Sequence, residues 1–592
     1  MFKFKVSYVA LAAALSSSVV YADPSSYTHK SGANVIDIEA PNAAGVSHNL
    51  YREFNVGPNG TILNNSASDV NHETHGNIAK NNNLTNGSAS VILNEVTSNK
   101  MSNLQGFIEV NGQKADVVIA NPNGISCSGC SFINTNKAVL TTGQVNLSDT
   151  GAIDSYTVTQ GKITIGDKGM NASSNYAILL ADAIAINGTL NAASTALSAG
   201  NFTYNNATGE IANHGKTATV MQMLIPEYSI DISNLGGIKA NSISMVGNTL
   251  GLGVRNKGVI SANSMLMMTS YGSLINEGAI NADGLVANMV SAGDMKNKGT
   301  INSTAYATAL SSLGTLNNEG TIASSKTLGV NVSGDLVNAG TFRETQMLSV
   351  ASGGNLTTRY GSYIDTDGQL AVSAVNIDNG GSILGDVTNI AFSGNTLNVT
   401  GNIRANSSLT VQAIKDDNIT SGKIYNKGRI EGNDVSIVTN GNLDQEGNIV
   451  GQHSLSIKGD VIDNTYYIYG DTLSIESNYL RNRATIDGNA VNITANNGIL
   501  NEGQMMSSGD MTLYTQQTAD ITNYKTIKAD GSLTMTTRYV KNGGYRCGFL
   551  NLSICKAGSL SADKLVVNSY HNYASDMGGR QQYKQAEINT IR

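Results

Sequence analysis

From about residue 254 onward, apolar residues recur at every second position in short runs separated by glycine-containing turns. A typical stretch is "GTINSTAYATALSSLGTLNNEGTI", residues 299 to 322. Alternation of this kind, broken every few residues, predicts strand, turn, strand. A pentapeptide punctuates it: "NKGVI" at Asn256, "NEGAI" at Asn276, "NKGTI" at Asn297, "NEGTI" at Asn318 and "NAGTF" at Asn338. It returns as "NKGRI" at Asn426, "QEGNI" at Gln445 and "NEGQM" at Asn501, with degenerate copies at Asn379, Asn482 and Asn523. The spacing is close to twenty residues, and repeats of that period predict a solenoid. Ankyrin and tetratricopeptide units are longer and helical, and the ordered leucines of a leucine-rich repeat are missing.

The predicted fold is therefore all-β, a right-handed parallel β-helix with an N-terminal cap and extra-helical strands. One repeat supplies two or three short strands and makes one coil. If nearly the whole chain coils, about 28 rungs form a rod of roughly 130 Å at the ordinary strand spacing. Asn at equivalent corners is expected to stack in hydrogen-bonded ladders, and Gly to supply a left-handed backbone there.

Proline divides the chain. Pro24, Pro41, Pro58, Pro122 and Pro226 all lie in the first 226 residues. A residue without an N–H is poorly tolerated inside a paired sheet, so loops and extra strands are expected early and an uninterrupted ladder later, the change falling between about 230 and 270. Met1 to Ala22 carries Lys3 and Lys5 ahead of an apolar run and ends in small residues, the pattern of a secretory signal cleaved between Ala22 and Asp23. That run is too short to span a bilayer and no other run matches it, so no membrane anchor is expected. The organisation expected is a signal at 1–22, a loop-bearing domain at 23–270, repeats at 271–575, and a polar tail at 576–592 whose composition allows a helix.

Composition narrows the function. With 44 acidic and 37 basic residues, 14% charged in total, the chain offers no electrostatic footprint for nucleic acid. Its 40% hydrophobic content is enough to line a narrow continuous core. Cys127 and Cys130, three apart after an Asn-Pro-Asn-Gly turn, could form a metal knuckle, a redox dithiol or a structural disulfide. Export to an oxidising compartment favours the disulfide. Cys547 and Cys555 lie far away without a His at knuckle spacing, so no metal is expected; a second disulfide between them would close "GFLNLSI".

Enzymatic signatures are weak. "NHETH" holds His72 and His75, but the zinc-protease pattern is His-Glu-x-x-His on a helix, so solvent-exposed loop histidines are the expectation. Asp416 and Asp417 are an isolated acidic pair, although parallel β-helices do host polysaccharide-degrading enzymes. "GLGVRNKG" has the wrong spacing for a dinucleotide loop, and there is no Gly-x-Ser-x-Gly elbow. The expectation is a non-enzymatic chain without cofactors.

Three stretches are more specific: "SHNLYREFNVGPNGTILNNS" from Ser47, "NNNLTNGSASVILNEVTS" from Asn81, and "GFIEVNGQKADVVIANPNGISCSGCSFINTNKAVLTTG" from Gly106. In this order they resemble the N-terminal secretion domain of two-partner secretion exoproteins. That family contains filamentous haemagglutinins, haemolysins and the stalks of contact-dependent inhibition proteins. The resemblance covers about residues 23 to 270, and beyond them the style of the repeats. It implies two signature turns. The second is intact as Asn121, Pro122, Asn123, Gly124 and Ile125; the first is represented by Asn81, Asn82, Asn83 and Leu84, with Asn82 in the proline position. An Asx-type turn is expected to survive there with less preorganisation.

The resemblance further implies secretion through the periplasm of a Gram-negative bacterium to its surface or beyond. The implied partner is an outer-membrane transporter with periplasmic docking domains. Action as an adhesin on host or bacterial cells is the leading expectation. The alternatives are the secretion end of a pore-forming haemolysin and a contact-dependent inhibition stalk. No "VENN" junction is found. Haemolysins and haemagglutinins of this group usually run longer, so a short natural form and a truncated frame are both open.

Overall fold

The computed structural model describes residues 23–215, 217, 228–413, 422–543, 546–547, 553–554, 558–571 and 579–591. Asp416, Asp417, Cys555 and the signal segment fall outside these residues. Every described regular element is a strand, and parallel pairing dominates, so the chain winds as a β-solenoid of about 22 coils. At about 4.8 Å per coil this gives a rod of roughly 100 Å.

The first coils establish three faces. On the first, β2 (Asn34–Asp37) pairs with β4 (Thr61–Asn65), β4 with β9 (Phe107–Gly112), and β9 with β12 (Cys130–Ile133). On the second, β3 (Val46–Tyr51) pairs with β7 (Val91–Val96), β7 with β10 (Ala115–Ala120), and β10 with β13 (Thr135–Thr141). On the third, Val56 bridges to β8 (Ser102–Leu104), which pairs with β11 (Ile125–Cys127). The third face continues as a stack of twenty strands ending at Tyr539–Asn542. Ahead of the stack, β1 (Ser26–Thr28) runs antiparallel to β2 and caps it.

Two columns of side chains fill the rod behind the third face. From Ile125 onward the first inward position of each described strand of that face is aliphatic, as in Ile230, Val254, Leu274, Met295, Leu316 and Leu336. From Asn256 onward the second inward position is most often the Asn of the repeat, Thr358 and Val399 being among the exceptions. Asn256 donates through its amide to Asn276 Oδ1 at 2.9 Å, Asn276 to Asn297 at 2.8 Å, Asn297 to Asn318 and Asn318 to Asn338 at 2.9 Å. A second ladder runs from Asn464 through Asn482, Asn501 and Asn523 to Asn542, each link 2.8 Å. Each amide also donates to a backbone carbonyl of the next coil, as Asn256 does to Ala279 at 3.1 Å. All are buried, so an unpaired amide would cost about 1–3 kcal/mol. Stacking identical residues satisfies them without water.

The glycines of the repeat act differently from expectation. None of Gly258, Gly278, Gly299, Gly320 and Gly340 has a positive φ. Their role is close approach: a Cβ on Gly299 would lie 1.9 Å from the Gly278 carbonyl oxygen, and one on Gly320 would lie 2.1 Å from that of Gly299. Successive corners therefore touch backbone to backbone.

The extra strands expected before about residue 230 are present. Gln144–Leu147, Ile153–Val158, Phe202–Asn205 and Ile211–Asn213 form an antiparallel sheet outside the coil. Tyr156, Phe202 and Tyr204 from that sheet cover Val118, Val139 and Ile178, which face outward from the second face. Strands buried on both sides need no alternation. On the first face, the hairpin of β5 (Val70–His72) and β6 (Gly76–Ile78) places Ile78 over Val35 and Ile62. These excursions absorb residues without adding height, so the coil count falls short of 28.

The polar C-terminal segment is not helical. Arg580–Thr590 is an exposed strand parallel to Ser559–Ser569. The unpaired backbone edge of the last core-bearing coil recruits a strand even where the side chains are polar. Near it, Arg546–Cys547 pairs antiparallel with Ser553–Ile554, while the expected Cys547–Cys555 bond lies outside the described residues.

Candidate functional site

Both signature turns are corners at which the chain passes from one coil face to the next, and they share one hydrogen-bond plan. In the first, Asn81 is 2% exposed, and its Oδ1 accepts the Asn83 N–H at 2.9 Å, closing an Asx turn. The Asn81 backbone carbonyl accepts the Leu84 N–H at 3.4 Å. In the second, the fully buried Asn121 accepts the Asn123 N–H at 3.0 Å on Oδ1 and the Gly124 N–H at 3.1 Å on its carbonyl.

The amide groups of both corners reach back to chain already laid down. Asn81 donates to the carbonyls of Ile38 at 2.8 Å and Asn64 at 3.0 Å, and Asn83 donates to Ile38 at 3.2 Å. Asn121 donates to the Lys100 carbonyl at 2.9 Å and Ser102 Oγ at 3.0 Å, and Asn123 donates to the Ser98 carbonyl at 2.7 Å. Neither corner is complete until the preceding coil is in place.

The corners differ in how they re-enter the core. Leu84 fills it directly, at 4% exposure, whereas Gly124 takes φ +116° against the Lys162 backbone and leaves the filling to Ile125. Only at this position does the signature require glycine's backbone freedom. Asn82 is exposed where Pro122 is half-buried, and its N–H donates to no backbone carbonyl among the described residues. The missing proline therefore leaves the corner's hydrogen bonds intact.

Beyond the second corner the structure joins Cys127 and Cys130 by a disulfide with Cα atoms 5.4 Å apart. Both sulfur-bearing side chains lie in the core, Cys127 ending β11 and Cys130 beginning β12. The bond therefore clamps the passage from one coil to the next. Beside it, Ser128 Oγ donates to Asp167 at 2.8 Å, and this bond with the Lys168 N–H holds the Asp167 carboxyl below the ordinary range. On the strand entering the corner, burial raises the Asp116 carboxyl, opposed by Lys137 at 3.7 Å.

The secretion-domain pattern suggested by these corners is matched independently. The model of the "TPS secretion domain" family fits residues 14–282. This chain therefore carries a two-partner secretion domain at residues 14–282. Its relatives include a "Toxin CdiA" of Yersinia pestis, 38% identical over 261 residues, covering 44% of this chain and 8% of the relative. A "16S rRNA endonuclease CdiA" of Enterobacter cloacae is 29% identical over 551 residues, covering 88% of this chain and 16% of the relative. The chain thus spans a small part of the length of these curated relatives. The solved filamentous hemagglutinin secretion domain is 30% identical and matches over 53% of this chain and 98% of its own, with a TM-score of 0.40. Proteins with this domain are secreted through outer-membrane transporters, and a secreted or surface location is consistent with that.

The fold corrects one expectation drawn from the sequence. His72 and His75 are not freely solvated: their side chains are 21% and 13% exposed, and both contact the buried carboxylate of Glu109. The hairpin β5–β6 folds over β9 and brings them together. No local spacing in the sequence announces this, because Glu109 lies 34 residues beyond His75. No described helix is long and apolar enough to cross a membrane.

Proposed function

We propose that this chain is the export and stalk region of a contact-dependent, CdiA-like exoprotein, and that it is itself non-enzymatic. It passes unfolded through the outer-membrane transporter, whose periplasmic docking domains take up the N-terminal domain, and it folds outside coil by coil. The observation that carries this reading is the backward reach of Asn81, Asn83, Asn121 and Asn123 onto carbonyls of earlier coils. A chain emerging N-terminus first can close each corner on a finished coil. Each closure buries apolar surface that an incoming segment cannot bury alone, which biases movement outward without ATP. The similarity to a CdiA protein along 88% of the chain favours the stalk.

The side chains of Asn81 and Asn121 are buried once the corner has formed, so the transporter meets these residues before folding rather than after. Adhesion by the rod's own surface is the second reading. Exposed Leu285 and Tyr306, neighbours on consecutive coils, favour it, at 69% and 72% exposure.

Deleting residues 81–143 and following the protein in culture supernatant, with the cognate transporter coexpressed, tests the export role. Loss from the supernatant with accumulation in the periplasm is expected; undiminished secretion would refute it. Binding of purified rod to cells separates stalk from adhesin, because a stalk alone gives no saturable binding. Incubation with tRNA and ribosomes is expected to leave both intact.

A further inference from the structure

We propose that His72, His75 and Glu109 form a binding site for a divalent transition metal, zinc in the first instance, which fastens the β5–β6 hairpin to the solenoid. Glu109 faces outward from β9 in one row with Ile62 and Val35, both covered by the hairpin. Its side chain is only 6% exposed. A carboxylate in such a row is costly unless a cation meets it. Among the described residues the groups within ion-pair distance of it are the two imidazoles, and no Lys or Arg lies that close.

The donor set has the right chemistry and nearly the right geometry. The three candidate ligand atoms lie within 4.8 Å of one another. His75 Nε2 stands 3.2 Å from Glu109 Oε2, close to the roughly 3.3 Å edge of a zinc tetrahedron built from bonds of about 2.0–2.1 Å. His72 Nε2 is 2.5 Å from Glu109 Oε1, so a metal must open this contact by less than about 1 Å. Two imidazoles and one carboxylate leave a fourth position for water. Such a nitrogen and oxygen set suits zinc better than magnesium or calcium.

The surroundings fix the rings. His75 stacks on Phe107 with centroids 5.4 Å apart, and its Nδ1 lies 3.2 Å from Ser31 Oγ. Donation from Nδ1–H to that hydroxyl leaves the Nε2 lone pair facing the carboxylate, the usual outer-shell arrangement for a metal-bound histidine. His72 Nδ1 accepts the N–H groups of Thr74 at 3.2 Å and His75 at 3.3 Å. Without metal, its proton therefore sits on Nε2 and is shared with Glu109. When a metal takes Nε2, that proton moves to Nδ1, where Thr74 Oγ1 at 3.0 Å accepts it, and the two long backbone bonds are given up. The hairpin precedes the first signature corner by three residues, so the metal would stiffen the segment that presents Asn81.

The test uses the secreted full chain, stripped with chelator and dialysed against zinc. One equivalent per chain is expected by elemental analysis, and cobalt in its place is expected to give visible tetrahedral absorption. His75→Ala and Glu109→Gln should each weaken zinc affinity roughly 100-fold, a ligand loss being at least as damaging as loss of an outer-shell partner. His48→Ala, which breaks a separate His48–Glu95 pair, should leave it unchanged. Wild-type protein that retains no zinc, or variants that bind as the wild type does, would overturn the site. Should the variants misfold, the wild-type cobalt spectrum and a rise of Tm with zinc decide. Absence of both contradicts the proposal.

Discussion

The corners of the first coils and the corners of the repeats solve the same problem with the same residue, yet in different ways. At Asn81 and Asn121 the amide donates backward to particular backbone atoms, and each corner has its own partners. At Asn256, Asn276 and Asn297 the amide donates forward to another Asn and to the next coil's carbonyl, and every link is interchangeable. Of the 18 glycines with positive φ among the described residues, only Gly284, Gly361 and Gly498 lie beyond residue 251. The early region is individually shaped, whereas the later region is modular. Specific corners define where the solenoid starts, and generic corners extend it.

Removing one whole coil from each region should separate them most sharply. Deleting residues 278–298 joins Glu277 to Gly299 in register, because Ala279 and Thr300 are ladder partners. Secretion is expected to continue and circular dichroism to keep its strand signature. Deleting the coil 107–130, which puts Ser131 in the place of its ladder partner Phe107, removes the second corner with its disulfide, and secretion is expected to cease.

Single substitutions give a smaller contrast. Asn121→Ala strips two donor contacts and the acceptor of the Asx turn, so denaturant unfolding should show a loss of about 3 kcal/mol together with impaired export. Asn297→Ala interrupts two ladder links, the one accepted from Asn276 and the one donated to Asn318, and should cost about 2 kcal/mol with export unchanged. Replacing Cys127 and Cys130 together by Ala should cost about 2 kcal/mol, the modest value for so short a closed loop. The smallest effect has the opposite sign. Asn82→Pro restricts the unfolded chain without removing a bond to another backbone group, and should raise stability by about 0.4–1 kcal/mol in the same assay.

Much of the architecture was legible because the repeat writes itself into the sequence. Every copy of the pentapeptide from Asn256 to Asn523 places its first residue in the inward polar column. Asn464 and Asn542 belong to that column too, but "NTYYI" lacks the Gly at the third place of the copy and "NGGYR" lacks the apolar residue at its fifth. The glycines were read as φ devices because composition cannot distinguish backbone freedom from backbone contact. The coil count was overestimated because residues 144–158 and 201–213 leave the coil while keeping strand-like alternation. The Glu109 cluster was invisible because it exists only once a hairpin has folded over a strand from a later coil. At the two corners, the residues could be named from the sequence, but their backward hydrogen bonds required the stacking of coils to be known.

The central claim is that coils close in order, each corner locking onto its predecessor. Pulsed hydrogen exchange during refolding of the secreted chain, read by mass spectrometry, tests it most directly. Protection is predicted first in peptides from residues 34–127 and last in those from 454–542, with Asn121→Ala delaying everything downstream. Protection of the later coils first, or an unaltered order and rate in the Asn121→Ala chain, would contradict it.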